Sequence, residues 1–209
     1  MSSSSSHLSW KSPDPERSLR IALDTLGVSL QELSSQAWDP KTLTIGGIRD
    51  YQLCTLVPEQ NGWSFLHLHL NSQLGDPLAA EMSKGTIGAV VIFFEFDQCA
   101  WGFGIYEKGI RLGRFWNRPD VVEEDPKSCI VKPELLTRFF AASSEIVGAY
   151  LIQLKPDEDA PQKAIKDDER SLGDHWVRCD FMKRLGLKYP DGSEPQKRHV
   201  LIKEAGVND

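Results

Sequence analysis

The chain of 209 residues predicts an α+β fold: an antiparallel sheet of about five strands with a β-meander at 87–116, and helices packed mainly on one face. Two observations predict it. Ile87 to Trp116 reads as three consecutive strands joined by tight turns, and amphipathic segments opened by proline flank that stretch on both sides. A chain of this length buries roughly 70% of its unfolded surface in one good core and is short for two. The expected division is a disordered, Ser-rich N-terminus at 1–13, a single α+β domain at 14–190 and a polar C-terminal tail at 191–209.

Asp14-Pro15-Glu16 has the order of a helix start, with a capping carboxylate, a proline at the first helical position and an acid in the first turn. Leu19, Ala22, Leu23 and Leu26 then share one face until Gly27 stops the helix. Ser29-Leu-Gln-Glu32 has the form of a capping box and predicts a second short helix toward Ala37. The pair is an αα-hairpin packed on the sheet rather than a DNA-reading helix-turn-helix, because the second helix carries no Arg or Lys to hold phosphate.

Tyr51–Val57 and Trp63–Leu70 alternate as strands, and the Pro58 to Gly62 loop between them predicts an antiparallel hairpin. In the second strand Leu66, Leu68 and Leu70 face the core, while Phe65, His67 and His69 share the other side. Asp76-Pro77 opens a connector helix that closes at Gly85.

From Ile87 the chain is apolar on both faces, as in the middle of a covered sheet. Trp101–Tyr106 follows, with Gly102 and Gly104 leaving one side bare for the close approach of another element. Glu107-Lys-Gly109 turns the chain into Ile110–Trp116. Beyond an acidic segment at 120–125, Lys132-Pro-Glu-Leu-Leu starts another helix with Leu135, Leu136, Phe139 and Phe140 inward. Ile146–Leu154 fits either a helix or a strand, and 155–169 is a polar surface loop. Ser171-x-x-Asp174 caps a last helix with Val177, Phe181, Met182 and Leu185 in one arc and Trp176 outside it.

Phe94-Glu-Phe-Asp97, Trp101 to Tyr106, Gly109 and Phe115-Trp-Asn-Arg-Pro-Asp120 form a recurring phrase: a strand ending in Asp, an aromatic strand, a Gly turn and Phe-x-x-x-Pro-Asp. In this the chain resembles a loose group of uncharacterised bacterial proteins, over roughly a third of its length. The resemblance implies an architecture and brings no catalytic residues.

Net charge −6 and a pI near 5.4 oppose a general affinity for nucleic acid, which needs Lys and Arg on phosphates. The longest apolar run is about half of what a bilayer core requires, so no membrane span is expected. The N-terminus lacks the order of a secretory signal, and Cys54, Cys99, Cys129 and Cys179 are too widely spaced for a zinc site or redox dithiol. These read as free thiols in a cytoplasmic protein.

No nucleophile elbow, dinucleotide fingerprint or phosphate loop occurs in the chain. The expectation is therefore a non-catalytic protein-binding or regulatory protein, immunity- or antitoxin-like in one form, with an unknown protein partner and no cofactor. Trp116, Arg118, Asp120, Glu123 and Trp176 are the candidate partner-binding residues, since an acidic, loop-rich surface selects a basic partner and Trp is over-represented at hot spots. The alternative is a metal-dependent enzyme or small-ligand binder at His67 and His69, two apart on a strand, with Glu95, Asp97 or His175 completing the set.

Overall fold

Val90–Phe96 and Ala100–Glu107 are buried along most of their lengths on both faces, so each side of the sheet they build has to be covered. A computed structural model describes residues 4–32, 51–60, 62–68, 74–85, 88–156, 158–187 and 198–203. In chain order its strands are β1 (Ser4–Trp10), β2 (Ser29–Glu32), β3 (Tyr51–Gln60), β4 (Trp63–Leu68), β5 (Val90–Phe96), β6 (Ala100–Glu107), β7 (Ile110–Trp116) and β8 (Arg198–Lys203). The helices are α1 (Pro15–Thr25), α2 (Gly75–Gly85), α3 (Pro133–Thr137), α4 (Ser144–Tyr150) and α5 (Val177–Arg184).

The α+β class, the antiparallel sheet and the meander are as expected, and every described strand pair is antiparallel. The sheet is wider than five strands. Among the described residues it has eight, in the order β2-β8-β3-β4-β1-β5-β6-β7, and the three added strands come from segments expected to be something else. Residues 4–10, read as disordered, form β1 between β4 and β5, where Leu8 and Trp10 point to one face and are wholly buried. Residues 29–32, read as a helix start, form β2, because pairing with β8 overrides a local capping signal. Residues 198–203, read as tail, form β8 between β2 and β3. The remainder of the expected second helix, toward Ala37, lies outside the described residues.

Helical cover is shared between the two faces rather than gathered mainly on one. On one face Leu8, Trp10, Leu66, Leu68, Val90 and Ile92 meet Leu19, Ala22 and Leu23 of α1 and Leu78, Ala79 and Met82 of α2. On the other, Phe65, Val91, Phe93, Trp101, Phe103 and Phe115 meet Leu136 and Phe140 around α3, Val147 and Tyr150 of α4, and Phe181 and Met182 of α5. The leucines of β4 do face a core, and so does Phe65 opposite them. The loop before α5 is anchored by buried Asp168, which accepts hydrogen bonds from Tyr150 Oη (2.6 Å), Arg184 Nη2 (2.8 Å) and the Ile165 amide (2.9 Å). Burial would raise that carboxyl, but the donors outweigh it and hold it below the ordinary carboxylate range.

Both meander turns use backbone with positive φ. Asp97 and Gln98 (φ 48° and 56°) join β5 to β6, and Lys108 and Gly109 (φ 53° and 83°) join β6 to β7. Turns of this hand match the twist of the strands they connect. The second turn is tied to α2, since the amides of Lys108 and Gly109 donate to the carbonyl and hydroxyl of Ser83.

Gly102 sets the sheet's approach distance at its β7 end. A Cβ there would lie 2.3 Å from the Phe115 carbonyl oxygen and 2.7 Å from the Trp116 indole. Gly102→Ala should therefore lower stability by about 3 kcal/mol in urea unfolding. Gly85→Ala, whose added carbon meets nothing within 4 Å, should stay within about 0.5 kcal/mol of the parent. Equal midpoints for the two variants would show that the close approach at Gly102 is not required.

Candidate functional site

The phrase Trp116 to Asp120 leaves β7 and becomes a loop that is fastened before it reaches solvent. Asn117 is buried and makes three ties: its side-chain oxygen accepts the Trp101 amide (2.8 Å), its amide donates to the Trp101 carbonyl (3.0 Å), and its carbonyl accepts the Leu154 amide (2.7 Å). Arg118 turns inward and donates to the Glu158 carbonyl at 2.6 Å. The Glu124 amide donates to the Pro119 carbonyl at 2.9 Å and closes the loop on itself.

The far end is clamped by charge. Arg114 on β7, with its side chain only 12% exposed, pairs with Asp76 at the start of α2 and donates to Glu124 Oε1 at 2.7 Å. Its guanidinium lies 5.2 Å from the Phe94 ring centroid, and Tyr106 Oη donates to the second oxygen of Asp76 at 2.5 Å. Burial alone would lower the Arg114 pKa, but hydrogen bonds to Asp76 and Glu124 more than offset it and hold the group charged. Burial, then the bond to Asp76, pushes the Tyr106 phenol upward. Burial likewise raises the Cys129 thiol, whose sulfur lies 3.6 Å from Glu124 Oε2.

Of the residues expected to meet a partner, Asp120 and Glu123 stand exposed on this loop. Trp116 is buried instead. Its indole lies across the bare face of Gly102 and stacks on Phe94 with ring centroids 5.4 Å apart, so the corner offers no indole to a partner. Glu123 holds φ 57°, a left-handed conformation that side chains other than Gly, Asn and Asp seldom adopt. Two isoleucines flank the loop's exit. Ile130 is 67% and Ile152 40% exposed, one residue either side of the hydrogen bond from Gln153 Nε2 to the Cys129 carbonyl.

A second polar cluster occupies the opposite face of the sheet. Glu95, near the end of β5, accepts from Arg178 Nη2 at 2.5 Å and lies 3.4 Å from His175 Nε2. Arg178 is fully buried, and its guanidinium sits 4.6 Å from the Trp176 ring centroid. Trp176, placed outside the helix arc by its spacing, is 39% exposed. Burial holds the His175 imidazole below its ordinary value, against the pull of Glu95.

His67 pairs across the strands with His7, ring centroids 3.9 Å apart, on the same sheet face as Glu95. His69 lies outside the described residues. Among the described residues no group of three or more His, Cys, Asp or Glu converges to hold a metal, and Asp97 belongs to the β5–β6 turn. Cys99, Cys129 and Cys179 are free thiols, and burial pushes Cys179 up to about 11. No described helix is long and apolar enough to cross a membrane.

Spacing had not marked Asn117, Arg114, Asp76 or Arg178 as site residues. Asn117 was visible only as part of the aromatic phrase, and the others acquire partners from strands and helices remote in the chain. Glu95→Ala leaves the buried Arg178 charge without its carboxylate and should cost about 3–5 kcal/mol in urea unfolding. The double change Glu95→Leu with Arg178→Met should cost less than the single one, and the reverse ranking would mean that the pair is not an interior charge pair. No protein-family model matches this chain, and no match was found among curated proteins or solved structures.

Proposed function

We propose that the protein is a non-catalytic binding or regulatory protein of the cytoplasm that meets a basic surface of another protein through the loop at 118–125. Neutralisation of that partner, in the manner of an immunity protein or antitoxin, is one form this takes. The observation that carries the reading is the loop's preorganisation. Its backbone is closed by the Glu124 to Pro119 bond and clamped at one end by Asn117 and at the other by Arg114, while Asp120 and Glu123 project without an ion pair or hydrogen bond to any described side chain.

A loop already ordered before binding spares the entropy of ordering it afterwards. The unusual backbone of Glu123 fits the same reading, because such conformations persist where the surroundings hold them and concentrate at recognition sites. Net charge −6 favours encounter with a positive partner, and Ile130 and Ile152 add apolar area beside the acids.

The test compares the parent chain with Asp120→Lys/Glu123→Lys, after thermal melts confirm that both are folded. Each is used as bait in lysate of the source cell at ~0.1 M salt, where surface charge is only partly screened. The reading predicts one basic protein retained by the parent and reduced by about tenfold or more with the variant. Equal recovery of every retained protein would overturn it.

A further inference from the structure

The two helices that share one face of the sheet leave a groove between them. It has a volume of about 540 Å³, within the range that holds small molecules. α1 lines it with Asp14, Arg17, Ser18, Ile21, Ala22 and Thr25, residues three and four apart that fall on one side of the helix. The end of α2 supplies Glu81, Met82, Lys84 and Gly85. Ala22 and Met82 are buried at 2% and 1%, so the groove has an apolar base. Ile21, 55% exposed, is the one large apolar side chain of α1 that stands in water.

The polar groups of the groove are committed to one another, with a single exception. Asp14 caps α1 by accepting the Arg17 amide at 3.0 Å, and the hydroxyls of Ser12 and Ser18 bond to each other at 2.7 Å. Thr25 donates to the Ile21 carbonyl at 2.8 Å. Lys84 pairs with Glu81 at 2.5 Å, and its stem lies so close to the β6–β7 turn that a Cβ on Gly109 would be 2.9 Å from its Cε. The exception is the Arg17 guanidinium, which is exposed and makes no ion pair or hydrogen bond with any described residue.

We propose that this groove binds a small amphipathic carboxylate, with its two oxygens on the Arg17 guanidinium and its hydrocarbon body against Ile21, Ala22 and Met82. The planar fork of Arg matches the two oxygens of a carboxylate. One uncommitted cation suits one negative charge, whereas a phosphate would bring a second charge toward Asp14 and Glu81. The hydrocarbon withdraws Ile21 from water, and the unbranched thioether of Met82 adapts to bodies of different shape. At Gly85 an added carbon would meet nothing within 4 Å, so the α2 wall leaves room for chains of different length. The site shares no residue with the loop at 118–125 and stands apart from the protein-binding reading.

Titration of the isotope-labelled full chain, followed by the NMR shifts of its backbone amides, tests it with decanoate, decylammonium and acetate as probes, all kept below micelle formation. Decanoate should bind with a dissociation constant on the order of 0.1–1 mM, as so few atoms allow, and move amides within 12–25 and 81–85 most. Decylammonium, with the same tail and the opposite charge, and acetate, with the same head and no tail, should each bind about tenfold more weakly. Arg17→Glu, an exposed change, should reverse the order of the two decyl probes. Ile21→Ser should weaken both by about fivefold.

Equal affinity of the parent for decanoate and decylammonium, an unchanged order in Arg17→Glu, or shifts centred away from α1 and the end of α2 would each overturn the proposal. None of these outcomes alters what the bait experiment retains, so the groove and the partner-binding loop fail separately.

Discussion

One strand joins the two halves of this protein. β1 lies between β4 and β5, pairing Leu8 with Leu66 on one side and with Ile92 on the other. Take it out of the order β2-β8-β3-β4-β1-β5-β6-β7 and the sheet falls into two pieces, neither of which has a partner for its newly exposed edge. The same residues also serve both cores, since Leu8 and Trp10 are packed among α1 and α2 while His7 and Ser9 lie buried on the opposite face. The meander, and with it the loop at 118–125, is held to the rest of the described sheet by this strand.

What the meander positions follows from its bare face. With no side chain at Gly102, Trp116 lies flat across β6, and the chain beyond it leaves the sheet low enough for Asn117 to bond back to Trp101. Arg114, one turn of the pleat earlier, then holds Glu124 and closes the loop from beneath. The acids that remain outside are therefore presented by a scaffold tied inward through Asn117 Oδ1 and the Arg114 guanidinium. Rigidity and exposure are separated residue by residue, which is the arrangement a recognition loop needs.

Much of the fold was legible because several signals agreed. In β5 to β7 the alternation of apolar residues, the turn chemistry and the strand lengths all point the same way, and the strands lie within a few residues of their expected bounds. The added strands were hidden for different physical reasons. β1 is rich in serine, a composition that reads as unstructured, and only Leu8 and Trp10 betray its period of two. β2 carries a helix-capping pattern, but its partner β8 lies about 170 residues further on, and no local rule weighs a contact at that distance.

The site was legible in part for related reasons. Exposure of Asp120 and Glu123 follows from a polar run after a proline, and the open face at Gly102 and Gly104 was visible in the sequence. Its occupant was not, so Trp116 read as a surface anchor when it is the element that fills that face. Arg114 gave no signal because its partners lie 38 residues before it and 10 after it. Native-state amide hydrogen exchange tests the central role of β1 most directly. The amides of Leu8 and Trp10 should exchange only with global unfolding, at the same free energy as Phe93 and Phe103. Rapid exchange across residues 4–10 while β5 to β7 remain protected would contradict the account.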